Sequence, residues 1–216
     1  MKNEKRFLDQ SGAEIRLIKK DGEPTKLVGY FAKYNVLSEN LGGFREIIEP
    51  GFFDEALKTS DIVDLFNHDA NFVLGRQSAK TLRVWSDDIG LAYECLVPET
   101  QIIKDLVLSP IERNDITGNS FGFRVSGDGD SWDEDKDGRV VRTLKANGCK
   151  ELFDGSQVTY PAYPETEVSL RAKNMVEERK KSADTSGDNK DDTILKRRLA
   201  EDEKREKYFK IRGLIK

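Results

Sequence analysis

Histidine is almost missing from this chain: His68 is the only one in 216 residues. There are two cysteines, Cys95 and Cys149, too few for a disulfide framework. One histidine and two cysteines also leave too few ligands for an ordinary zinc site. No apolar stretch approaches the roughly 20 residues that span a bilayer. Residues 1–6 run into alternating sequence without the apolar block of a signal peptide. Nor does one sign of charge dominate. With 36 Lys and Arg against 40 Asp and Glu, the net charge of −4 provides no global attraction to nucleic acid or anionic lipid. These absences argue against metal, membrane and nucleic-acid classes, and they fit an intracellular chain whose cysteines are reduced core residues.

What is present is a polar mixture, 37% hydrophobic and 35% charged, as expected of a folded domain joined to a solvated appendage. Up to about Arg171 the pattern is one of short strands with a few helices. Residues 13–20, 26–36, 61–68, 81–88, 90–98, 120–127, 139–146 and 151–164 read as strands. The turn "DDIG" between 81–88 and 90–98 predicts a hairpin. Residues 50–58 predict a short helix starting near Pro50 and Gly51. Residues 98–116 predict a longer one, with apolar spacing through Ile102, Ile103, Leu106 and Val107. The fold class is α+β, built on a mixed or barrel-like sheet. After Arg171 more than half the residues are charged, so 173–192 read as a polar linker and 193–216 as a charged helical tail.

Three segments could carry chemistry. The acidic stretch "DEDKDGRVVRTL" (133–144) begins like a calcium loop with Asp133, Asp135, Asp137 and Gly138. Leu144 then stands where the bidentate glutamate is needed, and a hairpin turning at "KDG" fits better. In "ITGNSFGF" (116–123), Ser120 follows Gly118 and Asn119, as in a turn that would let a peptide carbonyl approach and backbone N–H groups face an oxyanion. A serine nucleophile needs a base, which His68 in "DLFNHDANFVLGR" (64–76) can be, and the base gains from an orienting carboxylate. Asp154 is a candidate for that role, equally readable as a turn aspartate before Gly155.

Taken in order, "LGGFREIIEPGFFDEAL" (41–57), "DLFNHDANFVLGR", "TLRV" (81–84), "NSFGF" (119–123) and "VTYPAYPET" (158–166) resemble the tailed-bacteriophage prohead maturation proteases, relatives of the herpesvirus assemblins. The resemblance covers roughly residues 13–172, so the expected protease domain is 1–172. It implies a serine endopeptidase with a herpesvirus-protease-like, strand-rich barrel packed with helices. By motif, the general base falls on His68 and the nucleophile on Ser120. Assemblins use a second histidine, which this chain lacks, whereas the phage family usually has an acidic residue here. That place holds Asp154, with neighbouring Glu151 as its rival. Gly155 replaces a branched apolar residue common in the family, which should loosen the strand.

The implied substrates are the major capsid protein and a scaffold segment, with self-cleavage, inside an assembling procapsid in the host cytoplasm. No metal or organic cofactor is implied, and no nucleic-acid or membrane partner. Because assemblins act as dimers, a homodimer or higher oligomer stays open. The alternatives are a catalytically silent capsid- or scaffold-binding module of the same fold, and a calcium-dependent binding domain built on the acidic loop. The protease is favoured because His68 and Ser120 both stand in their expected motifs.

Overall fold

The computed structural model describes residues 4–8, 15–41 and 43–160, all within the first of two units into which the chain divides, Met1–Ala172. The predicted linker and tail lie outside the described residues. Those residues form twelve strands and a few helical turns, the strand-rich α+β class that the sequence predicts.

Three sheets account for the strands. A four-stranded sheet runs in the order β2 (Ile15–Ile18), β3 (Lys26–Lys33), β8 (Gly90–Leu96), β7 (Leu82–Ser86), with every neighbouring pair antiparallel. The β7–β8 hairpin turns where "DDIG" predicts, and Asp87 Oδ1 accepts the Ile89 and Gly90 N–H groups. A three-stranded sheet joins β10 (Asp130–Glu134), β11 (Val140–Leu144) and β4 (Arg45–Ile48). Its β10–β11 turn is the acidic loop: Asp135 Oδ1 accepts the Asp137 and Arg139 N–H groups, and Gly138 takes φ +72°. The carboxylate of Asp135 is thus occupied in shaping a turn.

The largest sheet has the order β1 (Glu4–Leu8), β9 (Gly118–Val125), β12 (Cys149–Val158), β5 (Val63–Phe66), β6 (Asp69–Arg76). β9 and β12 are antiparallel, β12 and β5 parallel, β5 and β6 antiparallel. The sequence "SFGF" explains how β9 is oriented. Alternate residues point to opposite faces, so Phe121 and Phe123 enter the core while Ser120 and Gly122 share the other face. Phe121 packs edge-on against Phe53 at 5.4 Å and Phe123 against Phe52 at 5.6 Å. Phe52 and Phe53 lead into α1 (Asp54–Thr59), which starts four residues later than Pro50 suggests because 50–53 form turns. Burying each such ring contributes roughly 1.5–3 kcal/mol, so this aromatic cluster fixes the face of β9.

The helical run over 98–116 is interrupted. α2 (Gln101–Ile103) passes through a π-helical turn, Lys104–Leu108, into α3 (Ser109–Glu112). Ile103, Val107, Leu108 and Ile111 face inward, whereas Ile102 and Leu106 are exposed. The wider π turn shifts the buried stripe from the one the spacing predicts. Both cysteines are free and buried, and burial pushes both thiols above their ordinary range.

Candidate active site

His68 sits in the tight turn between β5 and β6. Phe66 and Asp69 pair across it, leaving Asn67 and His68 as its two central residues, at φ +52° and +57°. Two left-handed residues make a type I′ hairpin turn, the kind that matches strand twist and normally takes Asn-Gly. Here His occupies the glycine position, an uncommon conformation for a residue with a β-carbon. The turn is held from β12 and just beyond it. Asn67 N–H donates to the Gln157 carbonyl at 2.9 Å, and Thr159 N–H donates to Asn67 Oδ1 at 3.0 Å.

The same strand delivers Asp154, and β9 delivers Ser120. His68 Nε2 lies 2.5 Å from Ser120 Oγ, while His68 Nδ1 is hydrogen-bonded to Asp154 Oδ2. A carboxylate only accepts, so Nδ1 carries the proton and Nε2 is free to accept from the serine hydroxyl. The sheet registers explain the meeting. Asp154 stands opposite Gly122 and Ser156 opposite Ser120, so Asp154, Ser156, Ser120 and Gly122 share one face. Gly122 makes the room: a β-carbon there would lie 2.0 Å from Asp154 Oδ1. The aromatic–Gly–aromatic pattern of "SFGF" carried that signal.

Glu151 does not join the group. Its carboxylate is 45% exposed and ion-paired with Arg124. Three local readings are corrected. Ser120 is not in a turn but inside β9, paired to β1 and β12, so the backbone of 118–122 is committed to ladders rather than to an oxyanion. Gly155 does not loosen β12, because the ring of Phe31 takes the place a side chain would fill, 2.2 Å from the missing β-carbon, and stacks on Tyr93 at 4.0 Å. Asp154 likewise lies within the strand rather than at a turn.

Ser120 is fully buried, and the His68 and Asp154 side chains are 6% and 7% exposed. Their hydrogen bonds are thus made away from bulk water, where electrostatic interactions are stronger. Behind this face lies a second buried polar group that the sequence did not reveal. Gln157 Nε2 donates to Asp64 Oδ1 and to Tyr93 Oη, both at 3.2 Å, and Tyr93 Oη donates to Asn119 Oδ1 at 3.3 Å. Burial, opposed by contacts with Cys95 and Gln157, pushes the Asp64 carboxyl up to about 7.

A serine hydroxyl, an imidazole and a carboxylate in this sequence of contacts match the constellation that acyl-transfer enzymes use. The chain belongs to the caudovirus prohead serine protease family, whose model matches residues 13–181. It is therefore a member of a protease family, as the motif resemblance implies. Among solved structures it is similar to the bacteriophage T4 capsid assembly protease, gp21, at 14% identity and a TM-score of 0.39, over 69% of this chain and 98% of that one. At that score the likeness carries no argument. No curated protein matches the sequence. No helix among the described residues is long and apolar enough to cross a membrane.

Proposed function

We propose that this chain is a serine endopeptidase that cleaves the major capsid protein and a scaffold segment, and itself, inside an assembling phage procapsid in the host cytoplasm. The observation that carries the reading is the continuous chain of contacts Ser120 Oγ–His68 Nε2 and His68 Nδ1–Asp154, within a domain matched by the family. Ser120 Oγ attacks the scissile carbonyl carbon while its proton passes to His68 Nε2. The tetrahedral intermediate collapses as His68 gives that proton to the leaving amine, leaving an acyl-enzyme. A water, deprotonated by His68, then attacks the acyl carbon and Ser120 departs with the proton. Asp154 holds the imidazole by its Nδ1–H throughout. The reading includes a herpesvirus-protease-like arrangement of the sheets, a linker over 173–192 and a charged tail over 193–216.

The test is co-expression of the wild-type chain or Ser120→Ala with the capsid protein under conditions that permit assembly, followed by intact-mass analysis. Wild type should yield shortened products that Ser120→Ala does not, a loss of at least ~10⁴-fold in rate. Identical masses in both samples would sink the protease and leave a silent capsid-binding module.

A further inference from the structure

We infer that Ser156 is a positioning residue of this site, its hydroxyl holding the His68 turn and the Asp154 carboxylate in a common register. The inference rests on the proposed roles of His68, Ser120 and Asp154. Ser156 is fully buried and stands directly opposite Ser120 in the β9–β12 pairing. Its Oγ accepts the backbone N–H of His68 at 3.1 Å, and lies 3.3 Å from His68 Nδ1 and 3.4 Å from Asp154 Oδ2.

The hydroxyl's proton has one useful direction. Oγ has one proton and two lone pairs, and the His68 N–H takes a lone pair. Nδ1 is itself a donor toward Asp154, so it cannot receive the Ser156 proton. Asp154 Oδ2 can. Ser156 therefore accepts from the backbone of the base and donates to the oxygen that orients the base's ring.

The turn gives this arrangement its purpose. His68 at φ +57° occupies left-handed backbone space that a side-chain-bearing residue rarely adopts, so the fold must hold it there. Contacts from Gln157 and Thr159 restrain Asn67, the first central residue. Ser156 restrains the second. β12 thus carries the orienting carboxylate and the anchor of the base two residues apart, on one face of one strand. A serine that only filled space would not have three polar contacts converging on the acid–base pair.

The experiment compares wild type, Ser156→Ala and Ser156→Thr in the full chain, with kcat and KM on a peptide substrate, thermal unfolding, and ring-nitrogen NMR. Because His68 is the only histidine, its ring signals need no assignment. Ser156→Ala should lower kcat on the order of tenfold to hundredfold with KM within about twofold. Its downfield Nδ1 proton signal should broaden or vanish, and Ser156→Thr, which keeps the hydroxyl, should restore both. If Ser156→Ala does not fold, Ser156→Cys, close in shape but a weak hydrogen-bonding group, takes its place with the same expectation. Wild-type kcat and an unchanged ring spectrum, even with a lowered melting temperature, would overturn the inference. A wild-type chain without Ser120-dependent cleavage would remove the functional reading, and the ring spectrum would then decide on Ser156 alone.

Discussion

Two buried acid–base clusters sit in different sheets, and they are built on opposite principles. In the three-stranded sheet, Arg142 Nη1 lies 3.1 Å from Glu46 Oε2 and Nε 2.7 Å from Asp130 Oδ2, with Arg142 1% exposed. Trp132 closes the group: its Nε1–H donates to Asp130 Oδ2, and the guanidinium lies 5.4 Å from its ring centre. The cation is permanent, it stands on β11 with partners from β4 and β10, and all of them have ordinary strand backbones. In the five-stranded sheet, His68 bridges Asp154 and Ser120 from a left-handed turn. Among the described residues Asp154 Oδ1 has no hydrogen-bond partner. A fixed charge with saturated partners ties strands together. A histidine held in a left-handed turn between a serine and a carboxylate is suited to the proton transfer proposed above.

The largest way to break this comparison is to neutralise one carboxylate in the second cluster. Asp154→Asn keeps the volume but presents an amide to Nδ1, favouring the wrong tautomer. Cleavage should fall on the order of 10⁴-fold with the melting temperature nearly unchanged. Glu151→Ala, measured alongside it in the peptide assay, should leave the rate within a few-fold. Equal losses in the two variants would remove Asp154 from the orienting role.

The first cluster should respond in the opposite sense. Arg142→Met leaves Glu46 and Asp130 buried without their cation, which should cost about 3–5 kcal/mol of stability. Denaturant unfolding would show that loss, while the folded fraction should cleave at the wild-type rate. A stable Arg142→Met with impaired cleavage would mean that the two clusters are coupled.

This division was only half legible in the sequence. His68 and Ser120 could be picked out because their motifs are local, and the β7–β8 and β10–β11 hairpins because turn chemistry announces them. β4 was missed because its partner, β11, runs parallel from almost a hundred residues away and leaves no hairpin signal. β6 was missed because the β5–β6 register shifts twice, breaking the alternation that marks a strand. The type I′ turn was disguised, since His68 stands where glycine would normally reveal it. Ser156 looked like any serine in an alternating strand. Its role depends on the β9–β12 register, which pairs residues 36 positions apart (156 − 120). Gly155 misled for the same reason: only the fold brings Phe31 against it.

The finest contrast is between two carboxylates on β5 and β12, one facing the site and one facing the core. Asp64 stands opposite Gly155, its Oδ1 on Gln157 and its carboxyl near the Cys95 thiol, with Asp154 and Tyr93 also close enough to act on it. Burial raises it from 3.8 to about 7. In this window the native state keeps a proton that the unfolded chain has already released. Native stability from Asp64 is therefore fully present below about 4, declines as pH rises, and levels off above about 7. Asp64→Asn mimics the protonated acid at every pH. The stability difference, wild type minus Asp64→Asn, should fall across that window by at most roughly 1.4 kcal/mol per pH unit, measured by denaturant unfolding at a series of pH values. Parallel curves would mean that Asp64 is ionised in the core. The core would then contain a second carboxylate charge directly behind the proposed catalytic one, and the contrast between a site-facing charge and a neutral interior would fail.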